Sequence, residues 1–119
     1  MTAMITVYGI SNCDTVKKAR AWLAEHEHGL VYEFHDFKKQ GVPAQQLAAW
    51  EQAVGWGKLL NRQGTSWRKL DADSQAATVD AASAQALMLT QSSVIKRPVV
   101  DWGAQITVGF DAKTWAARL

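Results

Sequence analysis

The sequence predicts an α/β fold in the order β-α-β, helical insertion, β-β-α, built on a mixed four-stranded sheet. Three observations carry that expectation. A short β-branched run at Met4-Ile5-Thr6-Val7-Tyr8 ends at Gly9 and is followed, across a helical pattern, by an alternating run at Leu30–His35. The middle of the chain is helical and alanine-rich, without strand patterning. Two further β-branched runs then lie close together before a last helical stretch.

The first run is apolar and short, as a buried strand should be. Ser11, Asn12 and Asp14 are cap-type residues, and they introduce a helix from about Thr15 to Glu27. Val16, Ala19, Leu23 and His26 fall on one face of it, with Trp22 beside them and Gly29 as its stop. Leu30-Val31-Tyr32-Glu33-Phe34-His35 alternates as a second strand, and a helical crossover of this length suits parallel pairing. Pro43 opens a helix over about Ala44–Val54, in which Leu47, Trp50 and Val54 recur at helical spacing. Asn61–Ser66 is turn-rich. Asp73–Leu89 is a further helix, or two with a break, with Val79, Ala82, Ala86 and Leu89 as its core stripe. Arg97-Pro98 precedes a third strand, Val99–Trp102, and Gly103 turns it into a fourth, Gln105–Val108. Asp111 caps a final helix carrying Trp115 and Leu119. The order is thioredoxin-like, and residues 1–119 read as one domain with a helical insert at about 43–92.

Composition narrows the function classes. With 48% apolar and 20% charged residues, 119 residues can bury one core. A net charge of +2, with only Lys17-Lys18 and Lys38-Lys39 as basic pairs, gives no reason to expect a nucleic-acid partner. No stretch approaches the roughly 18 apolar residues of a membrane span, and Met1–Ile10 lacks the basic start of a signal peptide. No membrane partner is expected. The single cysteine excludes an intramolecular disulfide and suits a reducing, cytoplasmic setting.

That cysteine, Cys13, is the candidate nucleophile. It sits between the first strand and the first helix, at the edge where open α/β sheets place ligand sites. Unpaired N–H groups at a helix start favour an anion, and a thiolate is one. Its pKa should therefore fall below the free value of about 8.5. Lys17, one turn on, can add positive charge, whereas Asp14 acts in the opposite sense. Cys13-Asp14-Thr15-Val16 lacks the second thiol of a C-x-x-C motif, so any disulfide at Cys13 is with another molecule. Arg97-Pro98 offers a guanidinium for an oxyanion or carboxylate, and its X-Pro bond can be cis or trans.

Other constellations carry less. His26 and His28 are two apart and face different ways on a helix, with no partner to complete a metal set, so no metal site is expected. His35 and Asp36 are neighbours on a strand and point to opposite faces. Gly55-Trp56-Gly57 has no following Lys-Ser/Thr and makes no phosphate loop.

Tyr8-Gly9-Ile10-Ser11-Asn12-Cys13-Asp14-Thr15-Val16-Lys17-Lys18-Ala19 resembles the active-site stretch of the ArsC/Spx, or arsenate reductase-like, family, most closely its YffB subgroup. The resemblance continues through His35-Asp36-Phe37-Lys38-Lys39, Leu59-Leu60-Asn61, Gly64–Leu70, Ile95-Lys96-Arg97-Pro98 and Val108-Gly109-Phe110, in order and over nearly the whole chain. It implies a thioredoxin-like fold with a helical insert, and thiol chemistry coupled to glutathione or a glutaredoxin-type donor. Glutathione would be a co-substrate, with no tightly bound cofactor. In the family's arsenate reductases the cysteine matching Cys13 attacks arsenate, and three arginines hold the oxyanion. Arg97 matches one of them. Phe110 stands where another would fall, and Arg62 lies one place early for the middle one, with Arg68 as its alternative.

The expected function is a glutathione-dependent thiol reductase in which Cys13 forms and releases a mixed disulfide, with Asn12, Lys17, Arg62, Arg97 and Pro98 around the bound thiol. Arsenate reduction with an incomplete arginine set is one alternative, since each charge-assisted bond lost costs about 1.5–3 kcal/mol. A non-enzymatic Spx-like regulator is another. A monomer is expected.

Overall fold

The computed structural model describes residues 4–25, 31–103 and 105–117. Two compact units divide it: residues 1–37 with 97–119, and residues 38–96.

In the first unit, β1 (Met4–Gly9) leads into α1 (Asp14–Glu25) and then β2 (Val31–Asp36). After the second unit come β3 (Val99–Asp101) and β4 (Ile106–Val108). The sheet order is β2-β1-β3-β4, with β1 parallel to β2 and antiparallel to β3, and β3 antiparallel to β4. This is the mixed four-stranded, thioredoxin-like arrangement the sequence predicts.

The pleat sends alternate side chains of β1 to opposite faces. Ile5 and Val7 join Val100 of β3, Ala19 and Leu23 of α1, and Trp115, forming the buried core of this unit. Trp115 belongs to a short last helix, which Asp111 caps by accepting the N–H groups of Lys113 and Thr114. Its indole is 1% exposed and meets Trp22, Trp102 and Phe110 edge-on, with ring centroids 5.7, 5.1 and 4.8 Å away. On the other face His35 packs against the Tyr8 ring at 5.1 Å, while its neighbour Asp36 is buried. The β3–β4 connection closes through the Trp102 N–H to the Gln105 carbonyl, with Gly103 at φ 97°. That is left-handed backbone, which glycine adopts without a Cβ penalty.

The second unit is helical: α2 (Phe37–Gln40, entering it from β2), α3 (Ala44–Val54), α4 (Trp56–Leu59), α5 (Thr65–Arg68), α6 (Ala72–Ala77) and α7 (Ala81–Thr90), then a 3-10 turn over Ser92–Val94. α3 and α4 both pack against α7, and Leu47, Trp50, Leu59, Ala84, Met88, Val94 and Ile95 are buried. Leu60 forms an isolated antiparallel bridge with Ile95. The turn-rich Asn61–Ser66 segment holds the start of α5, which the sequence reading leaves as turn.

The alanine-rich stretch is two helices with a break at residues 78–80. The expected core stripe is wrong there. Val79 lies in the break and is 69% exposed, Leu89 is 44% exposed, and Ala82 and Ala86 face solvent. Asp80 caps α7 through a reciprocal box with Ser83 and so fixes where the helix starts. From that start Ala84 and Met88 turn inward, one helical turn apart. In a segment whose alanines fall on every side of the helix, apolar spacing alone carries little phase information, and the cap decides it. The expected positions of His26, His28, Gly29, Leu30 and Leu119 lie outside the described residues, and α1 is described only as far as Glu25.

Trp115→Ala should destabilise the protein by about 3–5 kcal/mol, the range for emptying a large aromatic site in a core. Urea denaturation followed by circular dichroism measures it. A loss under 1 kcal/mol would mean that the aromatic cluster is not what holds the last helix to the sheet.

Candidate active site

The strand-to-helix turn builds the site. After Gly9 the chain reverses through Ile10-Ser11-Asn12-Cys13, closed by the Cys13 N–H donating to the Ile10 carbonyl at 3.1 Å. The Cys13 carbonyl then accepts the Lys17 N–H at 2.9 Å, which is the first bond of α1. Cys13 therefore occupies the N-cap, the position where a side-chain acceptor takes the N–H groups two and three residues on. Here the acceptor is sulfur. The Thr15 and Val16 N–H groups both donate to it.

Arg97 reaches the same sulfur from a distant part of the chain. β3 runs antiparallel to β1, with Tyr8 opposite Val99, so the residues before β3 lie alongside the end of β1. The Arg97-Pro98 bond is cis. Pro98 is buried, and its carbonyl accepts the Gly109 N–H at 2.9 Å. The Arg97 guanidinium donates a hydrogen bond to the Cys13 sulfur.

These groups set the acidity of the thiol. Partial burial pushes it up, because a thiolate is desolvated there. The Val16 N–H, the hydrogen bond and charge of Arg97, and the Thr15 N–H pull it down. The net shift is downward, so Cys13 ionises more readily than an ordinary cysteine. Cys13 is only partly buried and keeps a path to solvent.

The other sequence-predicted site residues are placed as follows. Asn12 is exposed in the turn beside Cys13. Lys17 is exposed one helical turn along, and its described tie to Cys13 is through the backbone. Arg62 belongs to the second unit, exposed, with its guanidinium 4.9 Å from the centroid of the Trp56 ring. Arg68 is exposed at the end of α5. Phe110 faces the aromatic cluster around Trp115. Among the described residues no three His, Cys, Asp or Glu side chains cluster as a metal ion would need, and no helix is long and apolar enough to cross a membrane. The N-cap role of Cys13 and its two specific amide donors were missed from sequence. The signal was Asp14 as a favourable first helical residue, which puts the cap one place earlier.

The ArsC family model matches residues 8–118. The chain belongs to the ArsC family. A solved YffB protein is 47% identical, with 95% of this chain and 96% of that one covered, and superimposes with a TM-score of 0.88. An arsenate reductase (ArsC) related protein from Brucella melitensis is 49% identical over 98% of this chain and 93% of its own, with a TM-score of 0.74. An uncharacterized protein of Haemophilus influenzae is 38% identical over 114 residues, covering 96% of this chain and 97% of that protein. The ArsC assignment places Cys13 in a family of thiol-dependent reductases and agrees with the thioredoxin-like sheet.

Arg97→Gln should move the Cys13 thiol pKa upward, since it removes both the charge and the charge-assisted hydrogen bond. The pH midpoint of iodoacetamide alkylation measures the change. An unmoved midpoint would mean that the helix amides alone set the acidity.

The same shift makes stability depend on pH. The folded thiol ionises at lower pH than the unfolded one, so between the two values the unfolded chain binds more protons and stability rises with pH. The contribution is complete above the unfolded value of about 8.5 and is lost as pH falls through the folded value. Urea denaturation at a series of pH values should show the gap between the wild type and Cys13→Ser growing upward through that window. A gap independent of pH would contradict the depressed thiol.

Proposed function

We propose that this ArsC-family protein is a glutathione-dependent thiol reductase of the reducing cytoplasm, acting through Cys13 alone. One observation carries the reading: a solvent-reachable thiol, its acidity raised by two helix amides and a guanidinium, in a chain with no second cysteine. With no internal thiol to resolve it, a disulfide at Cys13 must be opened by a thiol from outside.

The steps balance in thiols and disulfides. The Cys13 thiolate attacks the glutathione sulfur of a glutathionylated substrate; that S–S bond breaks, and the substrate leaves as a thiolate with the electron pair. Cys13 is then joined to glutathione. A second glutathione thiolate attacks this mixed disulfide, releasing oxidised glutathione and restoring the Cys13 thiolate. A glutaredoxin-type donor can supply the second thiol instead. A thiol pKa shifted downward also makes Cys13 a better leaving group in that last step. Arg97 suits a glutathione carboxylate, with Asn12, Lys17 and Pro98 as flanking contacts.

Arsenate reduction is the second reading, favoured by the guanidinium beside the thiolate. It ranks lower because Phe110, where a further arginine of the family's reductases would fall, packs into the aromatic cluster around Trp115.

Incubation with oxidised glutathione should give a single adduct by mass spectrometry, absent in Cys13→Ser and removed by reduced glutathione. Failure of the wild-type thiol to form that adduct at neutral pH would overturn the reading.

A further inference from the structure

Gly9 stands at the end of β1 with no conformational need for glycine, because it is not among the residues with positive φ. Its need is steric. A Cβ placed there would come within 2.8 Å of Val16 Cγ2 and 3.4 Å of Cγ1. The first distance is shorter than real Cβ contacts allow, so something would have to move.

Val16 has little freedom to move by itself. It is fully buried, and a β-branched side chain in a helix strongly prefers one χ1 rotamer. A push on its methyl groups is therefore passed to its backbone, the third residue of α1. That backbone carries the N–H that donates to the Cys13 sulfur. Three residues separate Gly9 from Cys13, and none of Gly9's own atoms need touch the thiol.

We propose that Gly9 is a positioning residue: its missing side chain lets Val16 close against the end of β1 and thereby holds the first turn of α1 under the Cys13 sulfur. The proposal rests on Cys13 being a nucleophile, but not on glutathione being its partner. Any bulk at position 9 shifts Val16 and lengthens the amide–sulfur hydrogen bond.

A pair of variants tests it, with iodoacetamide as the probe. In Gly9→Ala the pH midpoint of Cys13 alkylation should rise, and the rate at neutral pH should fall roughly three- to ten-fold as the thiolate fraction drops. In Gly9→Ala/Val16→Ala both clashing methyls are gone, and the nearest remaining Val16 atom, Cβ, is 3.7 Å away, an ordinary contact. The midpoint should return to that of the wild type. A folded Gly9→Ala that titrates like wild type overturns the proposal. So does a folded double variant whose midpoint stays at that of Gly9→Ala or titrates like a free cysteine. Should Gly9→Ala alone fail to fold, a folded double variant with the wild-type midpoint still supports the proposal. No arm uses glutathione, so a missing glutathione adduct would overturn the reductase reading and leave this one standing.

Discussion

The hydrogen bond from the Cys13 N–H to the Ile10 carbonyl is the constraint on which the site depends. It turns a strand into a helix within four residues and leaves Cys13 at the helix cap. A longer loop would let the sulfur wander from the Thr15 and Val16 amides. The buried face of β1 and the buried side of α1 clamp the turn from both ends: Ile5 and Val7 on one element, Val16, Ala19 and Leu23 on the other. The geometry around the sulfur is thus maintained by the packing beneath it.

Two opposing effects meet at the sulfur, and their balance sets the direction in which its acidity moves. Burial makes an ion costly, while fixed amides and a guanidinium repay that cost only for the ion. Amides need no reorganisation when charge appears, because the helix has already aligned them. The guanidinium brings a full charge and a directional donor in one group. Neither is a property of cysteine itself.

Much of this was legible from sequence because local patterns and tertiary demands coincide. The run Met4–Tyr8, the stop at Gly9 and the helical spacing of Val16, Ala19 and Leu23 fix the strand, the turn and the buried helix face without knowledge of anything distant. The placement of Cys13 at a helix start followed from them. The alanine-rich region was misread for the opposite reason. Its alanines fall on every side of the helix, so the stripe through Val79 and Leu89 was as good as any until the Asp80–Ser83 cap set the start. The donor identities at the sulfur were hidden as well, since an N-cap is defined by backbone geometry that a cysteine does not advertise. Arg97 was legible as a candidate, but its contact with the sulfur needed the antiparallel register of β3 on β1.

That register has a consequence for how the thiol comes into being during synthesis. The turn and α1 are local, and their amides are in place as soon as the first turn of helix forms. Arg97 is made much later, and joins the sulfur only when β3 docks beside β1, a long-range closure of the slow kind. A chain still emerging from the ribosome therefore carries a cysteine without its guanidinium. The full set of groups around the sulfur is assembled only when the sheet is complete, so the environment that lowers the thiol pKa arrives together with the native fold.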